Sequence, residues 1–120
     1  DFGRTLLQRV GTDVIRNKEP DFWVNWIIKL LQLFPDEWDY VIIPDCRFPN
    51  EINSLETTFV NQTYHFRVYR PDFISPLSEE QQKHISETAL DGFAPDELIV
   101  NTTLEETRNF INSICKKYFS

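Results

Sequence analysis

Tyr40-Val41-Ile42-Ile43-Pro44-Asp45-Cys46-Arg47 runs from four apolar, mostly β-branched residues directly into a proline, a carboxylate and a guanidinium. A short continuous apolar run of this kind predicts a strand over residues 40–43 that is buried on both faces, as in a parallel sheet. Pro44-Asp45 ends it. Ile52 and Leu55 then mark a helical stretch around residues 49–56. Further along, Tyr64, Phe66 and Val68 alternate with His65, Arg67 and Tyr69, which predicts a second strand over residues 64–69. Leu98-Ile99-Val100 predicts a third, short strand.

Helices fill the remainder. Over residues 4–17, Leu6, Leu7, Val10, Val14 and Ile15 fall at helical spacing and predict an apolar face. Gly11-Thr12-Asp13 interrupts this pattern, and Thr12 or Asp13 is placed to cap a second segment. Pro20 suits a first helical turn. The wide stripe from Phe22 through Trp23, Trp26, Leu30 and Phe34 to Pro35 predicts a largely buried helix. Residues 78–90 read as partly helical, between Pro71/Pro76 and the turn Asp91-Gly92. Thr102 with Glu105 forms a capping-box pattern for a last helix whose face carries Leu104, Thr107, Ile111, Ile114 and Tyr118. Strands alternating with helices predict a single α/β domain over residues 1–120, with a short, mainly parallel sheet and three layers.

Composition narrows the function. The 120 residues carry 12 Lys+Arg against 19 Asp+Glu, a formal charge of −7. That balance argues against a general DNA or RNA binder, which needs a basic face, but leaves room for a few arginines gripping one small anion. No apolar run approaches the ~20 residues that cross a bilayer, and no signal-peptide core is present, so a cytoplasmic protein with no membrane partner is expected. Cys46 and Cys115 match no zinc-ligand spacing and are expected as free thiols. Gly3, Gly11 and Gly92 are the only glycines, and none belongs to a glycine-rich phosphate loop.

Ligands of open parallel sheets bind beyond the carboxyl ends of the strands. Asp45 and Arg47 follow the first expected strand, Arg70 follows the second and Asn101 the third, so a carboxylate and two guanidiniums are expected at one sheet edge. Such an Asp suits hydrated Mg²⁺, and arginine's planar fork suits phosphate oxygens. Equally open is a structural role in which Asp45 and Arg47 cap the next helix or pair with Glu51. His84-Ile85-Ser86-Glu87 reads either as a ligand or proton-transfer cluster or as a surface histidine at a helix start. Trp23 and Trp26 are placed to stack a nucleobase or to pack the core, and helical spacing favours the core, above all for Trp26. A metal-dependent nuclease is disfavoured because the strand after Pro44-Asp45 lacks the acidic residue and lysine that this chemistry uses.

Five blocks, in order, carry a resemblance over nearly the whole chain: Arg4-Thr5-Leu6-Leu7-Gln8-Arg9-Val10-Gly11-Thr12-Asp13-Val14-Ile15-Arg16; Phe22-Trp23-Val24; Val41 through Glu51; His84-Ile85-Ser86-Glu87; and Ile99-Val100-Asn101. Together they resemble the deoxynucleoside monophosphate kinases of bacteriophages and their relatives, P-loop proteins that move the γ-phosphate of ATP onto a deoxynucleoside monophosphate with Mg²⁺. The resemblance implies that Arg4, Gln8, Thr12, Asp13 and Arg16 line the acceptor-nucleotide pocket, with Trp23 beside it. It implies Asp45 as the carboxylate that helps to hold Mg²⁺, Arg47 and Glu51 as parts of a D-x-R-F-x-N-E block, and Arg70 as a catalytic phosphate-binding group. Residues 71–92, including His84 and Glu87, fall where such kinases carry a lid. The departure is the family's first strand and phosphate loop, which these residues lack. The expectation is therefore the C-terminal portion of such a kinase, catalytically incomplete as it stands, its sheet completed by the missing N-terminal segment or by a second copy. The alternative is a non-catalytic relative that keeps the fold to bind a nucleotide or a protein.

Overall fold

A computed structural model of the chain describes residues 2–119. They form two compact units, one comprising the chain up to Thr63 together with Leu77–Phe93, the other comprising Tyr64–Pro76 and the chain from Ala94 onward.

The first unit is helical. Helix α1 (Phe2–Leu7) continues without a break into a π-helix (Gln8–Arg16), followed by α2 (Phe22–Leu33), α3 (Pro49–Thr58) and two single-turn helices, α4 (Glu79–Gln82) and α5 (Ile85–Thr88). Gly11-Thr12-Asp13 is thus not an interruption. The i→i+5 pattern absorbs it, and neither Thr12 nor Asp13 caps a new helix. The π-helix buries Gln8, Thr12 and Arg16, while the apolar residues Leu6, Leu7, Val10 and Val14 are exposed. This inverts the expected face, because Arg16 and its partners draw the polar stripe inward.

Helix α2 packs against α3 and the π-helix, but buries only Val24. Its expected burial is not met. Trp26 is 62% exposed, with the Lys29 ammonium 5.8 Å from its ring centroid, so it is no core residue. Periodicity identifies an apolar stripe; whether another element covers it is a separate matter. Pro49 at the first position and Glu51 at the third start α3, which supplies Ile52 and Leu55 to a core shared with Val24 and Phe48.

The expected strand over residues 40–43 does not form. Tyr40, Val41 and Ile42 are exposed, Ile42 at 87%. β-branched residues hold an extended stretch only where a neighbouring strand takes up its backbone groups and a second layer covers its side chains. Among the described residues, no strand pairs with this one.

The second unit carries the sheet, two parallel strands rather than three. Strand β1 (Phe66–Tyr69) pairs with β2 (Glu97–Val100) in the register Phe66 to Glu97 and Tyr69 to Val100. The pairing extends beyond the strands through Asp96 N–H to His65 O at 2.8 Å and Asn101 N–H to Tyr69 O at 2.7 Å. Helix α6 (Leu104–Tyr118) packs on β2, and Ile114 of the helix and Ile99 of the strand are both buried. Its cap lies one residue later than the sequence pattern indicated: Thr103 Oγ1 accepts from Glu106 N–H at 3.2 Å. Tyr64, Phe66, Tyr118 and Phe119 form an aromatic cluster, with Tyr64 and Tyr118 centroids 4.7 Å apart. The described residues are therefore mixed helix and strand with a short parallel sheet.

Candidate functional site

The chemistry-bearing residues of the first unit gather around two carboxylates. Glu51, in the first turn of α3, accepts from Arg47 N–H at 2.9 Å and Phe48 N–H at 3.1 Å through Oε2. Its other oxygen faces Arg16 Nη1 at 3.2 Å. Arg16 is the most enclosed charge here, its side chain 10% exposed. Its guanidinium carbon sits 3.4 Å from the Phe48 ring centroid, and it also donates to Pro20 O at 2.9 Å and to Asn50 Oδ1. Burial pulls the Arg16 pKa below its ordinary value, against the opposing charges of Glu51 and Asp21. Arg16 thus braces α3 against the end of the π-helix. Asn50 completes the brace by donating to Asp21 Oδ1 at 2.6 Å and to Pro20 O at 3.1 Å.

The second carboxylate is Glu87. Its Oε1 receives Arg4 Nη2 at 2.5 Å and Arg47 Nη1 at 2.6 Å, while Arg47 Nε donates to Asp45 Oδ1 at 2.5 Å. Burial alone would raise the Glu87 pKa, but the hydrogen bonds and charges of Arg4 and Arg47 outweigh it and hold the carboxyl below its ordinary range. Arg47 is displaced the other way. Burial would lower its pKa, and the hydrogen bonds and charges of Asp45 and Glu87 raise it on balance.

His84 ties the same segment to the π-helix. Its Nδ1 accepts from Ser86 N–H at 3.2 Å, which leaves Nε2 to carry the proton and donate to Asp13 Oδ1 at 3.2 Å. Trp23 Nε1–H donates to Gly11 O at 3.1 Å, with its ring edge-on to Phe22. Gln8 Nε2 is buried and has no hydrogen-bond partner among the described residues, a costly state for an amide donor. Burial, then the charge of Glu51, pushes the Cys46 thiol up to about 11, which disfavours its thiolate. Neither Cys46 nor Cys115 is in a disulfide.

Arg4, Gln8, Thr12, Asp13, Arg16, Trp23, Asp45, Arg47, Glu51, His84 and Glu87 all lie in the first unit. Arg70 lies in the second, at the end of β1, with its guanidinium carbon 5.2 Å from the Phe73 ring centroid. Of the two roles held open for Asp45 and Arg47, the structural one is visible: the Arg47 backbone is tied to Glu51, while its side chain pairs with Asp45 and Glu87. Phe48 and Asn50 were not singled out from the sequence, and Ser86 was named only as part of the His84–Glu87 stretch. Phe48 and Asn50 were signalled only by lying inside the D-x-R-F-x-N-E block.

Asp45 fits a hydrated magnesium ion: its side chain is 75% exposed, and Arg47 engages only one of its oxygens. Among the described residues no cluster of three or more His, Cys, Asp or Glu is built to enclose a metal, so such an ion would keep most of its water. No described helix is long and apolar enough to cross a membrane.

Searches of curated proteins and of solved structures returned no match. A family model for deoxynucleotide monophosphate kinase matches residues 3–111, which takes in every block described above, from Arg4 to Asn101. The chain belongs to the deoxynucleotide monophosphate kinase family.

Proposed function

We propose that the first unit is the acceptor side of a deoxynucleoside monophosphate kinase, in which Arg4 and Arg47 bind the acceptor's phosphate. The observation that carries this reading is the convergence of these two half-exposed guanidiniums on one anionic oxygen. Planar guanidinium donors meeting at a single anion are the arrangement that phosphate recognition uses. Arg16, Glu51 and Asn50 act one step back, holding the Arg47 backbone in place. Gln8, Thr12, Asp13 and Trp23 lie on the base and sugar side, where the unpartnered Gln8 amide offers a donor to a base. His84 positions Asp13. Arg70 is assigned to the phosphates by its match to the family pattern.

Phosphoryl transfer depends chiefly on positioning and electrostatic stabilisation. Mg²⁺ held through Asp45 would neutralise charge on the transferring phosphoryl group, and ATP would be the donor. No glycine-rich loop occurs in these 120 residues, so the amides that cradle the donor's phosphates must come from elsewhere. Until then the described residues bind an acceptor without turning it over, which is also what a non-catalytic nucleotide-binding relative would do.

Calorimetric titration of the purified chain with deoxynucleoside monophosphates tests the assignment. Wild type should bind weakly, and Arg47→Ala should bind on the order of tenfold more weakly still, the loss expected for one charge-assisted phosphate contact. Equal affinity for wild type, Arg4→Ala and Arg47→Ala would remove both arginines from the site.

A further inference from the structure

Glu87 does with one carboxylate oxygen what a phosphate oxygen would do at the same place. Arg4 approaches from α1 and Arg47 from the turn before α3, and both end on Glu87 Oε1, at 2.5 and 2.6 Å. The immediate charge count is then balanced, with Arg4 and Arg47 against Glu87 and Asp45. A phosphate monoester carries close to two negative charges at neutral pH and gains little from a cluster already neutralised. One carboxylate has to leave for the guanidiniums to be useful. Asp45 touches Arg47 alone, whereas Glu87 engages both arginines. Glu87 is therefore the group whose departure frees the whole pair.

The element that carries Glu87 is short. Helix α5 is a single turn of four residues. Besides Glu87, its segment is tied to the N-terminal helices by His84 Nε2 to Asp13 Oδ1 at 3.2 Å and by Gln81 Nε2 to Thr5 Oγ1 at 3.3 Å. Both are long, exposed hydrogen bonds of the kind that contributes little.

We propose that Glu87 is an internal stand-in for the acceptor's phosphate. It holds Arg4 and Arg47 in a phosphate-ready geometry, and an incoming phosphate monoester displaces it, releasing α5 from α1. The inference rests on the phosphate-binding role given above to Arg4 and Arg47. It adds that binding and release of this segment are one event, so that part of the binding energy goes into breaking the Glu87 contacts.

The test pairs calorimetry with amide hydrogen exchange on the purified chain, using the four common deoxynucleoside monophosphates and inorganic phosphate as probes. Glu87→Gln keeps the side chain's shape and one acceptor oxygen but removes the competing charge. It should bind a monophosphate tighter than wild type by a factor on the order of five to ten. In wild type, the Glu87 and Ala89 amides, bonded to His84 O and Ile85 O at 2.9 Å, should exchange faster once ligand is bound. Equal or weaker binding by Glu87→Gln overturns the proposal. So does unchanged or slower exchange at Glu87 and Ala89 in liganded wild type, a measurement that decides the matter even if the variant folds poorly. If wild type binds and Arg47→Ala does not, while Glu87→Gln matches wild type, the stand-in role alone fails. If no monophosphate binds either protein, the phosphate site fails and takes the stand-in with it.

Discussion

The two units of this chain are held together by different physics. In the first, charged pairs accompany the buried apolar residues Val24, Phe48, Ile52 and Leu55: Arg16 is stacked on Phe48 and paired with Glu51, and the partly exposed Glu87 bridges Arg4 and Arg47. In the second, Tyr64, Phe66, Tyr118 and Phe119 pack on one another, and Ile99 and Ile114 are buried. An aromatic and aliphatic cluster gains from every contact and depends little on pH or salt. A buried polar network is sound only while each member keeps its partner, and losing one leaves another stranded. The unit suited to binding an anion is thus also the one that a single missing charge can disrupt.

The sharpest way to break this contrast is Glu51→Ala. It strands the enclosed Arg16 guanidinium and frees two backbone N–H groups at the start of α3. A loss of about 3–5 kcal/mol is expected, read from the urea unfolding midpoint. A change under about 1 kcal/mol would mean that the network contributes no more than surface pairs do. Ile114→Ala should come next, costing roughly 2–4 kcal/mol by opening a cavity under β2. Its effect should be the same at low and high salt, unlike that of Glu51→Ala.

Acid should separate the units most gently. Glu87 has its carboxyl held below the ordinary value of 4.5. A depressed carboxyl contributes stability that is present above that value and lost as pH falls through the lowered one. Protection of the Glu87 and Ala89 amides, measured relative to their intrinsic exchange at each pH, should therefore fall below pH 4.5, while amides of β2 keep their protection. Simultaneous loss of protection in both would show that the contrast does not survive as an energetic one.

What could be read in the sequence follows the same division. Alternation over Tyr64 to Tyr69, the run Leu98-Ile99-Val100 and the spacing of Ile52 and Leu55 each gave an element near its observed place, because local pattern and tertiary setting agree there. The two neighbouring threonines Thr102 and Thr103 each have a glutamate three residues on, so pattern alone could not choose the cap. The apolar run at residues 40–43 misled for another reason: propensity describes what a stretch can do beside a neighbouring strand, and no described strand lies beside it. The buried stripe Gln8, Thr12 and Arg16 was hidden because hydrophobic periodicity marks the opposite face of that helix. Its polar residues drew attention through family resemblance and not through any rule about burial. The bridge from Glu87 to Arg4 spans 83 positions and to Arg47 spans 40, separations that no local pattern encodes.

The central claim is that the charged unit, and not the aromatic one, receives the nucleotide's phosphate. Amide chemical-shift mapping tests it most directly, with a deoxynucleoside monophosphate titrated beside the matching deoxynucleoside at low salt. The account predicts that the monophosphate shifts amides around Arg4, Arg47 and Glu87, that the nucleoside does so far more weakly, and that amides of α6 and of Tyr64 stay in place. Equal responses to the two ligands, or shifts centred on the aromatic cluster, would contradict it.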